Sequence, residues 1–197
     1  MSSALFFLSA VCLLVVSFIA QEFMPVLDWA YGARFILPAT VFLGASVTVS
    51  YPFMLALAFF TGLLWDARHL SYASAGSESF GAGPAELALG YSILLFGLSG
   101  SVMQGIRPFF ERGRLELPAV IIGLMTGVWL LLEYLFLIFR LGQPLFPETL
   151  WLKIGSTSLL SLLLAPIILF LFYWIARLTG YEIRYEGLSE QAYGSQL

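Results

Sequence analysis

The stretch Leu117–Phe139, LPAVIIGLMTGVWLLLEYLFLIF, contains one charged residue, Glu133. About 20 apolar residues in helical form cross the hydrocarbon core of a bilayer, which is roughly 30 Å thick. Lipid offers backbone amides no partners, so such a stretch closes its own hydrogen bonds as an α-helix. Apolar runs recur on either side of it, at 4–20, 35–50, 53–65, 87–106 and 151–175. The alternation expected of barrel strands is absent. These runs predict an all-α, polytopic membrane protein: six transmembrane helices in a single integral membrane domain over 1–197, with a short tail at 178–197.

Composition points the same way. The chain is 60% hydrophobic, 11% charged and has a mean hydropathy of +0.92, whereas a soluble domain carries roughly 25% charged residues. The longest polar segments, 66–83 and the stretch after Leu178, are too short to build cores of their own. That excludes a soluble catalytic or nucleic-acid-binding domain. The single Cys12 lies in an apolar run, and His69 is the one histidine. Neither a disulfide framework, a thiolate cluster nor a two-histidine ligand set can be assembled from them. The formal charge of −3 carries no basic stripe for nucleic acid. No metal and no cofactor is expected. No Lys or Arg precedes Ala4–Ala20, and Phe18 stands where a signal-peptide cleavage site needs a small residue. That run reads as a retained first helix.

Phe35–Trp65 as one helix would measure about 46 Å, too long for one span. Proline disfavours helix at the residue before it, so Tyr51-Pro52 marks either a joint between two short helices or the tip of a re-entrant hairpin. Both readings leave the two termini on one side. Arg107, Arg112 and Arg114 cluster in one loop, and Arg177 and Arg184 lie in or near the tail. Arg34, Arg68, Arg140 and Lys153 lie opposite. Basic loops stay inside, which places both termini in the cytoplasm and 69–83 outside. Trp29, Tyr31, Trp65, Trp151 and Trp174 fit an interfacial belt, whereas Trp129 and Tyr134 are deeper, as packing residues are.

Four features carry chemistry or packing. Gly97-Leu98-Ser99-Gly100 has the form of an intramembrane serine-protease motif, but a serine nucleophile needs a base from a later helix, and no histidine follows it. Gly97, Ser101 and Gly105 recur every fourth residue, as do Gly123 and Gly127; small residues so spaced let helices approach closely, within the chain or with a partner. Glu133 is costly at membrane depth, so it either meets a partner or proton, or is hydrogen-bonded within the bundle. In Gly62-Leu63-Leu64-Trp65-Asp66, the glycine admits a close neighbour and Asp66 is suited to stop the helix and begin a turn.

The order of features resembles the MreD family, the small membrane subunit of the bacterial rod-shape machinery. The residues that carry the resemblance begin with Arg34…Pro38 and Gly62-Leu63-Leu64-Trp65-Asp66, followed by Gly81 and Gly83. Arg107-Pro108-Phe109-Phe110, Glu133 and Pro166 complete it, over about 34–177. The resemblance implies a scaffold in the bacterial inner membrane that is not an enzyme. It would bind the bitopic protein MreC and help couple MreB filaments to peptidoglycan synthases, a SEDS glycosyltransferase and a class B penicillin-binding protein. Gly62, Asp66, Glu133 and Arg107 are then the candidate partner contacts. The alternative is the substrate-binding subunit of an energy-coupling-factor vitamin transporter, also small and six-helical. Its Ala-x-x-x-Ala docking face is missing from the first helix, but the Ser-rich 71–79 segment is compatible with a ligand pocket.

Overall fold

Among the described residues, each of the six apolar runs holds an α-helix. The computed structural model describes residues 2–75, 90–107, 116–141, 148–181 and 183. Among these there are six α-helices and no β-strand: α1 (Ser2–Glu22), α2 (Leu37–Thr48), α3 (Tyr51–Ala75), α4 (Tyr91–Ile106), α5 (Glu116–Leu141) and α6 (Glu148–Thr179). A short 3₁₀ turn, Asp28–Ala30, lies between α1 and α2. The predicted all-α class holds. Arg112, Arg114, Pro108–Phe110, Gly81, Gly83 and Arg184 lie outside the described residues.

The α2–α3 joint falls just before the expected one. Val49 is extended after α2, and Pro52 occupies the first turn of α3, where its missing N–H breaks no helical bond. The third helix was expected to end at Asp66. It runs on to Ala75.

α2 is the axle of the bundle, with α1, α3, α4, α5 and α6 packed around it. Every residue from Pro38 to Val49 is buried. At 12 residues α2 is about 18 Å long, short of a bilayer core. Among the described residues, three helices (α1, α5 and α6) are long and apolar enough to cross a membrane, fewer than the six expected. α2 and α4 are shorter, and α3 takes in Asp66 and Arg68. The length shortfall has a physical reason at α2: a helix ringed by protein meets no lipid and need not match lipid thickness.

Large apolar side chains line the surface as well as the interior. α1 exposes Leu5, Leu8, Val16 and Ile19, and α6 exposes Leu163, Ile167 and Phe170, while Thr40, Ser46, Thr61, Thr126 and Ser161 are buried. Helices that are hydrophobic all round belong in lipid or a large core. Four of the buried hydroxyls donate to carbonyls of their own helix, Thr40 to Ile36, Ser46 to Leu43, Thr61 to Leu57 and Thr126 to Ile122. This local back-bonding satisfies a hydroxyl without water. At one end of the bundle Phe6 of α1 stacks on Tyr181 at 4.4 Å, so the first and last helices have their outer termini together.

Candidate functional site

Trp65, Asp66, Trp129 and Glu133, singled out in the sequence, come together where α3, α4 and α5 meet. Gly62 lies against the backbone of α4: a Cβ there would stand 2.5 Å from both Cα and N of Ile93. One turn on, Asp66 is 6% exposed and its Oδ2 accepts the Gly90 N–H at 2.6 Å. Gly90 is the residue before α4 and has a left-handed φ of 103°, a conformation open to glycine. A carboxylate at this point also faces the positive end of the α4 dipole. Asp66 is therefore a bracket between helices rather than the stop of its own. Asp66→Ala costs about 1 kcal/mol through loss of one hydrogen bond. Faster amide exchange over Tyr91–Leu94 is the expected readout, with Asp66→Asn close to wild type because an amide oxygen still accepts.

Trp65 belongs to the interior, not to the interfacial belt assigned from sequence. It is 8% exposed, and its ring meets Trp129 edge-on at 4.9 Å, Phe96 at 6.2 Å and Phe18 at 6.3 Å. Phe96 also packs on Trp129 at 5.2 Å and on Phe42 of α2 at 5.1 Å. Trp129 is a packing residue, as expected. The Trp65 Nε1–H donates to Oε1 of Glu133 at 3.2 Å. The Tyr91 hydroxyl donates to the Leu132 carbonyl at 3.4 Å, and its ring meets Phe136. Glu133 thus has the intramolecular hydrogen bond that the packing reading requires. Glu133→Gln keeps an oxygen for the indole, so its melting temperature should stay near wild type. Glu133→Leu leaves a largely buried N–H unpaired and should destabilise by about 1–3 kcal/mol in detergent melts.

Arg107 lies deeper than a loop arginine. It is 1% exposed, as is Gln104 one turn earlier on the same face of α4. Gln104 Nε2 donates to the carbonyls of Ser46 (2.6 Å) and Val49 (2.8 Å). Arg107 Nη1 donates to Val49 (3.1 Å) and Nη2 to Thr48 (3.3 Å), and Nη1 also meets Gln104 Oε1 at 3.3 Å. Together they cap the last turn of α2, where carbonyls lack intrahelical partners and the dipole favours a cation. At the other end of α2, the Leu37 N–H donates to Gln21 Oε1 at 2.8 Å. Arg107 was expected among exposed loop charges and partner contacts; in the described structure it is an internal cap. Gln104 and Gln21 went unremarked in the sequence. Gln104 is the one amide of the fourth apolar run and sits three residues before Arg107, a spacing that places both on one face.

The small-residue stripes divide. Gly123 and Gly127 pack on α6, against Leu162 and Ser158, and the Ser158 hydroxyl donates to the Gly123 carbonyl at 2.6 Å. Internal packing holds for that pair. Gly97 and Gly105 meet nothing within 4 Å of a built Cβ, and the Ser101 hydroxyl turns back to the Gly97 carbonyl at 2.8 Å. Packing within the chain is thus not found for Gly97, Ser101 and Gly105 among the described residues, and docking of a partner's helix is the reading left to that stripe. Gly100, from the protease-like motif, makes the close approach instead, lying under Met54 and Phe42. Among the described residues, no three His, Cys, Asp or Glu side chains come together. No protein-family model, curated protein or solved structure matches this chain.

Proposed function

We propose that the chain is a membrane-embedded scaffold subunit of the bacterial cell-elongation machinery, a non-enzymatic protein of the MreD type. In this reading it sits in the cytoplasmic membrane with both termini inside, binds MreC, and links MreB and the peptidoglycan synthases through that complex. The observation that carries the reading is where the family-like residues fall. Gly62, Trp65, Asp66 and Glu133 tie α3, α4 and α5 together, and Arg107 ties α4 to the end of α2. Such an arrangement suits a protein whose work is to hold a shape within the bilayer for others to bind. The shared end of α1 and α6 supports termini on one side. Gly62, Trp65, Asp66 and Arg107 are buried inside that bundle, so they would govern partner binding through the shape they maintain.

Depletion in a rod-shaped host is the test. Cells should round up as the protein is lost and regain rod shape when the full chain is supplied again. Unchanged rods after complete depletion would refute the proposal.

A further inference from the structure

We propose that the α1–α2 connection is a membrane-interface anchor, built to seat aromatic side chains in the phospholipid headgroup layer and so fix the depth of the short α2. This rests on the membrane reading of the bundle. The loop begins where the apolar span of α1 ends at Glu22. It is a constructed turn: the Leu27 N–H donates to Ala33 and its carbonyl accepts from both Ala30 and Gly32, at 2.9–3.1 Å. Tyr31 holds a left-handed φ of 57°, which a non-glycine residue adopts at a cost. The small residues Ala30 and Ala33 turn inward onto Leu160 of α6, with Leu27 and Phe35 packed beside them.

The large residues turn outward. Phe23 is 83% exposed, Trp29 79% and Tyr31 57%. A loop meant for water would bury its aromatics and show its alanines. This one continues the lipid-facing surface of α1, where Ile19 is exposed just below Phe23. Exposed Arg34 offers a cation to lipid phosphate, with Asp28 exposed in the same loop. Tryptophan and tyrosine favour this layer because one end of each ring is apolar and the other polar. The bond from Leu37 to Gln21 then ties the anchored loop directly to the start of α2.

The experiment uses the full chain with Cys12→Ser and one new cysteine, Pro25→Cys in the loop or Val16→Cys on the exposed face of α1. Each carries an environment-sensitive fluorophore in vesicles of phosphatidylcholine and phosphatidylglycerol. The position-25 probe should be quenched severalfold more by a nitroxide at the headgroup than by one deep in the chain, and severalfold less by aqueous iodide than the free dye adduct. The position-16 probe should respond most to the deep nitroxide. Adding Phe23→Ser, Trp29→Ser and Tyr31→Ser should release the loop probe to iodide and leave position 16 unchanged. Free access of iodide to position 25 with position 16 in hydrocarbon would overturn the anchor alone. Iodide access at both positions would overturn the membrane reading and the anchor with it. A loop probe indifferent to the triple substitution would remove the aromatic residues from the mechanism.

Discussion

Gly62→Leu should remove most of the folded protein from the membrane, and on the scaffold reading cell shape should fail in proportion. The added side chain has no space to enter, because its first carbon already collides with the Ile93 backbone. Overpacking a core typically costs about 1–3 kcal/mol when side chains can shift. Backbone cannot shift without parting α3 from α4, so this substitution belongs at the upper end or beyond. The parting would also strain the Asp66 bracket one turn away. Gly97→Leu and Gly105→Leu are the internal controls, since both positions look onto open space. Membrane immunoblots should show Gly62→Leu depleted and the controls at wild-type abundance. Normal abundance of Gly62→Leu with lost function would mean that this face docks a partner and that the α3–α4 contact is wrong.

Arg107→Ala should be the most damaging change at the C-terminal end of α2. It strips the donor from the Thr48 carbonyl and leaves the Val49 carbonyl to Gln104 alone, in a site that is 1% exposed. Each buried acceptor left unpaired costs about 1–3 kcal/mol, and bonds from a charged donor are the stronger kind. Arg107→Lys should recover part of the loss: it restores the charge at the helix end but not the fork that reaches two carbonyls. Gln104→Leu should weaken the same turn, and because both residues donate to Val49 the double mutant should be non-additive. Denaturation of the purified protein in detergent measures all four. Unchanged stability in Arg107→Ala, with partner capture lost, would return Arg107 to the surface role expected of a loop arginine.

The helices were legible because lipid exposure demands long apolar runs, and Leu117–Phe139 displays one almost without interruption. The joint near Pro52 was legible for a similarly local reason, the missing donor of proline. The extent of α3 was not. An aspartate at an apparent helix end looks like a stop signal, but the helix runs on to Ala75 and the carboxylate is taken up by the tertiary bond from Gly90. The same limit explains the two glycine stripes: four-residue spacing places small residues on one face but does not say whether a neighbour occupies it. Gly123 has Leu162 against it, and Gly97 has nothing. Arg107 misled because arginines following an apolar run usually mark a loop. Its buried role depends on where α2 ends, which is a matter of helix packing. Glu133 and Trp65, 68 residues apart, had no sequence sign of their meeting.

The most direct test of the scaffold reading is affinity purification of the tagged full-length chain from its native membrane, with the co-eluting proteins quantified by mass spectrometry. MreC should co-elute in an amount comparable to the chain itself, with MreB and the peptidoglycan synthases enriched over an unrelated membrane protein purified in parallel. Recovery of an energy-coupling ATPase module in place of MreC would contradict the account and make the chain a transporter subunit.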